Sequence, residues 1–355
     1  MPLEMMPYIK FATENYITAK FNLARSDVEG PRLENLIDKN EVFHLMKNDS
    51  YSLMKKLQSI LASLYDVENT NIEFTIGVTN SFFTLVQVMK NLGHKRVLCE
   101  SPAYEPFWLT PRGCDMEVEF LKRKEEDFTF DLGSLEKKAS EGDWLWISNP
   151  HNPSGKYLTP IEISKLAKTL KKKKAYLFVD EIYHDFITRL GEDSAVKFGD
   201  NVVISSSLTK TYGLGGLKVG WLIGPKFIID QATISRLHQF MLLPSSSLSV
   251  LIPFLDICEK VRQENISKIK KNSEVFHNKL ENDRLFFPDF GPIGLYKLGE
   301  KIDDIEFSKN ASRRYGLVLA PGSFFNYPGH LRLSCAGDFF NVQKSVEILD
   351  NLVNK

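Results

Sequence analysis

Short apolar runs alternate with longer segments of helical period along much of the chain, and this alternation limits the fold more than any other feature. The clearest strand-like runs are residues 97–99, 144–147, 175–179 and 202–204. Between the second and third runs, residues 159–170 open with a capping threonine and a proline, and Ile161, Leu166 and Leu170 can share an apolar face. Such strand–helix–strand units predict an α/β fold with a mostly parallel sheet covered by helices.

The pattern changes after about residue 255, which indicates a second, smaller domain in a chain of 355 residues. A long charged helical stretch at 259–280 is followed there by strand-like pieces at 295–298, 317–319 and 331–333. We therefore expect an α+β domain at the C-terminal end. The predicted organisation is an N-terminal arm that joins the small domain (1–40), a large domain (41–255) and a small C-terminal domain (256–355).

Charge and composition indicate which kinds of binding partner the protein is expected to lack. Forty-five basic residues balance 45 acidic ones, so no net field favours nucleic acid or an anionic membrane. The cysteines lie far apart, without the paired spacing of a zinc or redox motif, and suit a reducing compartment. The first residues lack the layout of a signal peptide, and no run approaches the roughly 18 apolar residues of a membrane span. We expect a cytoplasmic protein with no metal, nucleic-acid or membrane partner.

Polar clusters follow the predicted strands, at the edge where open α/β sheets bind ligands. In residues 75–81, Gly77 precedes a helical segment whose free N–H groups could hold a phosphate, although most such turns are only helix caps. Residues 148–155 contain two Asn-Pro pairs and a Ser-Gly pair, which predict a rigid turn. Such a turn could fix the amide of Asn152 toward a ligand.

Two further clusters place an acid and an amine at the same edge. Asp180 ends an apolar strand, and a buried carboxylate is costly unless a cation, such as a protonated ring nitrogen of a cofactor, partners it. The alternative is an acid that only begins a helix. Lys210 follows another strand among small and hydroxyl residues, where a desolvated amine could lose its proton and attack a carbonyl carbon. Lysine is otherwise a surface residue.

A dinucleotide-binding loop is the rival interpretation of the glycines at 213–216. That fingerprint requires a strand directly before it and a helix directly after it. Residues 218–224 have the pattern of a strand instead, so we reject this interpretation.

The order of these motifs resembles the fold-type I, class I/II aminotransferases over almost the whole chain. Each motif is modest, but six in one order make coincidence improbable. They are the glycine turn, Ser-Pro-Ala-Tyr at 101–104, Asn-Pro-Ser-Gly at 152–155, Asp-x-x-Tyr at 180–183, Ser-x-x-Lys at 207–210 and Leu-Arg-Leu-Ser at 331–334. The resemblance implies the fold of these enzymes and the cofactor pyridoxal 5'-phosphate (PLP).

The resemblance also implies a role for each matching residue. Lys210 would form the Schiff base with PLP and, once freed by substrate, move the proton between substrate and cofactor. Asp180 would pair with the pyridine nitrogen, while Asn152 and Tyr183 would hydrogen-bond the phenolic oxygen of the ring. Arg332 would clamp the substrate carboxylate, which suits its bidentate fork.

The remaining matches concern the cofactor's ring and phosphate and the substrate pocket. Tyr104 matches the residue that stacks on the ring, and Phe324 is the best candidate for the substrate pocket. The implied phosphate cradle consists of the backbone of Val78 and Thr79, the Ser207 hydroxyl and the Lys218 cation.

The chain departs from the family pattern at two places. The position of Lys218 is usually arginine, so the phosphate would receive a charge but no planar fork. The segment 21–27 lacks the usual glycine-containing substrate loop. In addition, Tyr51 is a candidate to reach the phosphate of a neighbouring subunit.

The function that the resemblance implies is transfer of an amino group between an L-amino acid and a 2-oxo acid, in a ping-pong cycle by a homodimer. A PLP-dependent lyase or decarboxylase stays open, because a fold does not fix a function. A non-catalytic effector domain of a transcription regulator is less expected, because no basic recognition helix is evident. The sequence leaves acidic, aromatic and histidinol-phosphate-like substrates open.

Overall fold

Helices and strands alternate along the chain in a computed structural model that describes residues 3–288, 290–299 and 301–354. The helices are α1 (Pro7–Asn15), α2 (Lys39–Leu45), α3 (Ser50–Tyr65), α4 (Val78–Asn91), α5 (Pro106–Gly113), α6 (Leu132–Lys138), α7 (Pro160–Lys172), α8 (Lys226–Gln239), α9 (Ser245–Phe254), α10 (Cys258–Lys279), α11 (Asp304–Tyr315) and α12 (Phe339–Val353). The strands are β1 (Phe21–Asn22), β2 (Ile72–Thr75), β3 (Arg96–Ser101), β4 (Glu117–Lys122), β5 (Trp144–Ser148), β6 (Tyr176–Asp180), β7 (Val202–Ser207), β8 (Gly220–Ile223), β9 (Leu285–Phe286), β10 (Ile293–Lys297), β11 (Leu317–Val318), β12 (Ala320–Pro321) and β13 (His330–Ser334). Among these helices, none combines the length and apolar character that crossing a bilayer requires.

A seven-stranded sheet with the order β2-β8-β7-β6-β5-β3-β4 forms the centre of the large domain. Strand β8 is antiparallel to both of its neighbours, and the other pairs are parallel. Successive residues of β5 enter opposite cores, because Trp144 and Trp146 pack on one face and Leu145 and Ile147 on the other. Burial of both faces explains the continuous apolar runs, and the predicted α/β fold is confirmed.

Helix α7 forms where the sequence predicts it. Thr159 accepts a hydrogen bond from the N–H of Glu162, whose carboxylate accepts one from the N–H of Thr159, so the two residues form a capping box. Leu166 and Leu170 are buried as expected, but the third apolar position was predicted wrongly. Ile161 is 68% exposed and Ile163 is buried in its place, because packing against the sheet decides which face turns inward.

The C-terminal part contains a four-stranded antiparallel sheet with the order β12-β13-β10-β9. Strand β1 of the N-terminal arm pairs in parallel with β11 of this C-terminal part, and the two form a separate two-stranded sheet. From β1 the arm continues toward the edge of the central sheet, where the N–H of Val28 donates to the carbonyl of Lys210 at 3.2 Å. The arm therefore connects the C-terminal part of the chain to the neighbourhood of Lys210.

A contact between two glycines fixes the position of the arm at the edge of the central sheet. Gly213 has a φ of +70°, and a Cβ at this position would lie 2.5 Å from the Cα and N atoms of Gly30. Only glycine adopts this conformation at so short a distance without strain. The arm thus lies directly against the loop that carries Lys210.

We expect Gly213→Ala to destabilise the protein by about 1–3 kcal/mol, because it combines left-handed backbone strain with a backbone clash. The measurement is the thermal unfolding midpoint of the variant against the wild type. Gly216→Ala is the matched control, since its Cβ would meet no atom within 4 Å. Equal midpoints for the two variants would contradict the role of the glycine contact.

Candidate active site

The cavity at the carboxyl edge of the central sheet has a volume of about 200 Å³. Strand register creates it, because Ser148 at the end of β5 pairs with Asp180, and Asp180 pairs with Ser205 of β7. The residues predicted from the sequence that line this cavity are Val78, Thr79, Tyr104, Asn152, Asp180, Tyr183, Lys210 and Lys218. The structure therefore brings most of the candidate site together.

Lys210 lies in the cavity with its amine among polar groups. Its Nζ atom donates to the hydroxyl of Ser26 at 3.2 Å and lies 3.6 Å from Oδ1 of Asp27. Burial alone would lower the pKa of the amine, but the Asp27 carboxylate beside it helps to hold that pKa above its ordinary value. The structure thus differs from the neutral amine expected from burial alone, because in the protein without cofactor the Asp27 carboxylate favours the charged form of Lys210.

Tyr183 is buried beside this amine. Its hydroxyl donates to Oγ of Ser26 at 2.7 Å, and the Nζ atom of Lys210 lies 5.9 Å from the centre of its ring. Burial raises the pKa of the phenol, so Tyr183 keeps its proton and acts as a hydrogen-bond donor. Ser26 thus accepts hydrogen bonds from both Tyr183 and Lys210.

Asp180 ends β6 and is 4% exposed. Its Oδ1 accepts from the N–H of Ile182 at 3.0 Å, and it forms no ion pair with any described residue. Burial raises the pKa of this carboxyl to about 7. An acid held in a cavity without a cationic partner is a site that a protonated ring nitrogen would complete.

The raised pKa of Asp180 predicts a cost to stability in the protein without cofactor. Folding raises this pKa from 3.8 to about 7, so the folded state binds the proton more tightly and loses stability as the pH rises through that interval. In cofactor-free protein we expect Asp180→Asn to gain thermal stability relative to wild type between about pH 5 and about pH 8, by up to about 1.4 kcal/mol per pKa unit. Unfolding midpoints at both pH values measure the difference.

The exposed Asp256 supplies the control for this experiment. An Asp256→Asn variant loses the same charge, and its midpoint is expected to follow the wild type at both pH values. If the unfolding midpoints of Asp180→Asn and the wild type differed by the same amount at both pH values, ionisation of the buried carboxylate would not lower the stability of the folded protein.

The turn between β2 and α4 forms another wall of the cavity. Gly77 is the N-cap of α4 with a φ of +73°, and the first N–H groups of a helix have no partner within the helix. Lys218 adopts a left-handed conformation and lines the same wall. These donors and this cation suit a phosphate.

Ser207, which was predicted to belong to this cradle, is not part of the cavity wall. Its hydroxyl donates to Oγ1 of Thr209 at 2.9 Å, and Thr209 lines the cavity instead. No local pattern singles out Thr209, because a hydroxyl residue in a loop can point either way.

A buried network behind the cavity positions Asn152. The N–H of Asn152 donates to the hydroxyl of Ser148 at 2.9 Å, and that hydroxyl donates to Glu100 at 2.9 Å. Glu100 in turn forms a fully buried ion pair with Arg123 at 2.7 Å. A chain of satisfied bonds of this kind holds the loop in one position.

Arg332 lies behind Asn152 and is completely buried. Its Nη1 atom lies 3.4 Å from Oδ1 of Asn152, its Nη2 atom contacts the carbonyl of Ala24, and the Nε–H has no partner among the described residues. The rings of Tyr8 and Phe325 lie 5.2 and 5.1 Å from the guanidinium carbon. A buried cation with an unsatisfied donor is suited to binding a carboxylate.

Helix α1 brings Tyr8 to this position. The N–H groups of Tyr8 and Ile9 donate to the carboxylate of Glu105 at 3.0 and 2.7 Å. A negative charge at a helix N-terminus is favourable, and Glu105 itself is nearly fully buried. The arm thus covers one side of the cavity.

Two further candidates lie outside the cavity wall. The Phe324 ring packs 5.3 Å from Phe11 and 6.2 Å from Tyr8, in an aromatic cluster behind Tyr8. Tyr51 is 57% exposed at the start of α3, where it borders a separate depression with Arg236. Phe324 therefore does not line the described cavity and would not contact a substrate bound there.

Sequence reasoning missed the residues that the arm contributes. Tyr8 and Ser26 line the cavity, and Asp27 contacts the amine of Lys210. In the sequence, the segment 21–27 stands out only because it lacks the glycine-containing loop of the resembling family. Its proximity to Lys210 arises from pairing between distant parts of the chain, which no local pattern reveals.

Comparison with known proteins gives a consistent result. Residues 19–349 match the sequence profile of the family described as aminotransferase class I and II. The aspartate aminotransferase of Sulfolobus acidocaldarius is 26% identical over 328 residues, which cover 85% of this chain and 80% of that protein. The histidinol-phosphate aminotransferase of Caldicellulosiruptor saccharolyticus is 23% identical over 299 residues, covering 81% and 79%.

Solved structures with the same fold include other such enzymes. A PLP-dependent aminotransferase from Streptococcus suis superposes with a TM-score of 0.82 at 19% identity, covering 100% of this chain and 98% of that one. An aspartate aminotransferase from Thermotoga maritima gives a TM-score of 0.82 at 16% identity, covering 99% and 98%. At these identities the likeness establishes the fold.

Proposed function

Since the chain belongs to the class I and II aminotransferase family and is thus a PLP-dependent transaminase, we propose that the cavity around Lys210 is its active site. The observation that carries the proposal is the placement in one cavity of a partly buried amine, Lys210, and a buried acid, Asp180, that forms no ion pair with any described residue. The reaction moves an amino group between an L-amino acid and a 2-oxo acid. The lyase or decarboxylase alternative is not favoured, because the matching family and relatives are aminotransferases.

The donors in the cavity fit PLP. Lys210 would hold the cofactor covalently, Asp180 its ring nitrogen, and Asn152 and Tyr183 its phenolic oxygen. The phosphate would bind at the N-terminus of α4 beside Lys218. When bound, PLP supplies a carbonyl carbon that links to amines and a ring that accepts electrons.

The side chains of the protein supply the rest of the chemistry. Lys210, once released, would move a proton between the substrate α-carbon and the cofactor as a general acid–base. An ionised Asp180 would keep the ring nitrogen protonated. Tyr104 would support the face of the ring, with its hydroxyl held by Thr79.

Arg332 would bind the α-carboxylate of the substrate beside Asn152. Its Nε–H has no hydrogen-bond partner in the part of the chain that the structure describes, and the planar guanidinium can form two parallel bonds with a carboxylate. The names of the relatives make L-aspartate and L-histidinol phosphate the first compounds to test. The latter carries a phosphate in place of the carboxylate, and a guanidinium can bind either group with two parallel bonds, so Arg332 suits both compounds.

A spectroscopic titration tests the proposed function. Purified protein with PLP is expected to show the visible band of the bound cofactor, and a suitable amino acid should convert it to the aminated form. The panel includes L-aspartate, aromatic amino acids and L-histidinol phosphate. Conversion by an amino acid, reversed by a 2-oxo acid, is the predicted outcome. A bound cofactor that no member of the panel converts would contradict transamination by this site.

A homodimer is also part of the proposal. The family resemblance implies it, and exposed apolar side chains lie just before α4 and at the C-terminal end of α8, where Ile76, Leu237 and Met241 are 40%, 55% and 58% exposed. A hydrogen bond between Asn80 and Gln239 joins these two helices. Ile76 also lines the cavity, so a second copy on this face would lie next to the site. Sedimentation of the wild type at twice the chain mass, and of Leu237→Glu at a lower mass, is expected. A monomeric wild type would contradict this assembly.

A cytoplasmic location completes the proposal. The four cysteines, Cys99, Cys114, Cys258 and Cys335, are all free thiols, and three of them are buried. Free thiols persist most readily in a reducing compartment. Fractionation of cells that produce the protein would test the location.

A further inference from the structure

The arm places beside Lys210 a carboxylate that the proposed roles leave unused. Oδ1 of Asp27 lies 3.6 Å from the Nζ atom of Lys210, and Asp27 is the one described residue that forms an ion pair with this lysine. The two side chains are 26% and 24% exposed, so water screens the pair only in part. Asp27 follows β1, in the segment that lacks the glycine-containing loop of the resembling family.

Backbone contacts hold this carboxylate close to the lysine. The N–H of Val28, the residue after Asp27, donates to the carbonyl of Lys210 at 3.2 Å. Two residues further on, Gly30 packs against Gly213 so closely that a Cβ on Gly213 would lie 2.5 Å from its backbone. The backbone of Asp27 is therefore fixed beside the loop that carries Lys210.

Asp27 also has a second cationic partner, which is Arg25. Its Oδ2 atom accepts hydrogen bonds from Nε and Nη2 of Arg25 at 3.1 and 3.0 Å. Burial alone would raise the pKa of the Asp27 carboxyl, but Lys210 and Arg25 lower it below the ordinary value. Asp27 is therefore an anion that bridges an exposed guanidinium and the amine in the cavity.

The other titratable groups around the amine do not replace this carboxylate. Asp180 lines the same cavity, but its proposed partner is the ring nitrogen of the cofactor. Burial raises the pKa of the Tyr104 and Tyr183 phenols, so both keep their protons and carry no charge. The remaining groups that face the amine are Tyr8 and the cations Lys218 and Arg332. Since the two cations disfavour a further positive charge, Asp27 is the group placed to favour one.

We infer that Asp27 is the counter-ion of the Lys210 nitrogen in the cofactor-bound enzyme and keeps that nitrogen protonated to higher pH. The inference rests on the proposed function, in which this nitrogen holds the cofactor and remains in the cavity. The linked nitrogen can also carry a proton, and a carboxylate beside it favours the charged form. A proton there makes the attached carbon more reactive toward an incoming amine. Asp27 itself would act through its charge and not as an acid or a base.

Arg25 limits the strength of this effect. Its guanidinium shares the same carboxylate, so the Lys210 nitrogen experiences only part of the field of an unshared anion. Removal of the Asp27 charge would therefore destabilise the protonated nitrogen, whereas removal of the Arg25 charge would stabilise it. A loosened arm would instead affect the nitrogen in the same direction in both variants.

The test is a spectrophotometric pH titration of the PLP-loaded protein, which requires no turnover. The visible band of the bound cofactor changes when the linked nitrogen loses its proton, and the cofactor's own charges are the same in every variant. An opposite charge at this distance moves a titration midpoint by about one to three pH units, and sharing with Arg25 favours the lower end. Asp27→Asn is expected to lower the midpoint by about one pH unit, and Arg25→Gln to raise it by less.

Cofactor-free protein provides a second measurement on the same pair of charges. Acetylation of Lys210 at graded pH, quantified by mass spectrometry of its peptide, reports the pH at which the amine loses its proton. Asp27→Asn is expected to lower this pH as well. Glu29→Gln is the matched control, because it removes the same charge from an exposed residue two positions away. It is expected to keep the wild-type midpoint in both titrations.

The two substitutions of opposite charge decide the outcome. An unchanged midpoint in PLP-loaded Asp27→Asn, or shifts of the same sign in Asp27→Asn and Arg25→Gln, would overturn the inference. A shift that occurs only in the cofactor-free protein would overturn it too. The proposed function fails separately, if the wild type forms no visible band with PLP or if no amino acid converts that band.

Discussion

Replacement of Lys210 with alanine is expected to abolish covalent attachment of PLP and to reduce transamination by about 10²- to 10⁴-fold or more. The lysine has two functions in the proposal, as the attachment point and as the group that moves the proton. The cavity itself should persist, because Lys210 contributes one side chain among many to its wall. Absorption spectra of the variant with PLP and single-turnover rates with an amino acid measure the two losses separately.

Lys226→Ala supplies the control for this variant. Lys226 lies on the surface, where it forms an ion pair with Asp230 at 2.7 Å and its side chain is 61% exposed. The control is expected to bind PLP and react as the wild type does. A Lys210→Ala protein with the wild-type spectrum would show that the cofactor is attached elsewhere or not at all.

Replacement of Arg332 with leucine is expected to lower kcat/KM for an amino acid by roughly 30- to 5,000-fold. This factor corresponds to a loss of about 2–5 kcal/mol of transition-state stabilisation. Arg332 is the buried cation whose unsatisfied Nε–H faces no described partner. Loss of the guanidinium leaves the substrate carboxylate without its partner, and Asn152 without a neighbouring donor. The loss is expected mainly in KM, because the carboxylate is bound in both ground and transition states.

A second variant keeps this prediction testable if the leucine protein folds poorly. Arg332→Lys keeps the charge but loses the planar fork, so its activity should lie between those of the wild type and the leucine variant. Arg313→Lys is the surface control, since the Arg313 side chain is 70% exposed. Wild-type KM values in Arg332→Lys and Arg332→Leu would exclude a carboxylate clamp at this position.

The fold was predictable because its signals are local. Runs of apolar residues buried on both faces mark the strands of the central sheet, and the capping pair Thr159 and Glu162 marks the start of α7. Asp180 and Lys210 also follow strands directly, so their common edge could be deduced from a parallel sheet. Local patterns therefore gave the sheet and the residues at its carboxyl edge.

The remaining features depend on contacts between distant segments. Ser26 and Asp27 lie beside Lys210 because β1 pairs with β11, almost 300 residues away in sequence. The inward face of α7 was set by packing, which exposes Ile161. The charged form of the Lys210 amine is favoured by Asp27, which lies on the distant arm, so burial alone was an insufficient guide to its protonation.

The most direct test of the account is to reduce the PLP-loaded protein with borohydride and to map the modified peptide by mass spectrometry. We expect a single PLP-derived mass on the peptide that contains Lys210. It also predicts loss of that mass when an amino acid substrate is added before reduction, because the substrate frees the lysine. A modification on Lys218 or another lysine, or one on Lys210 that no amino acid removes, would contradict the central claim that transamination proceeds through Lys210.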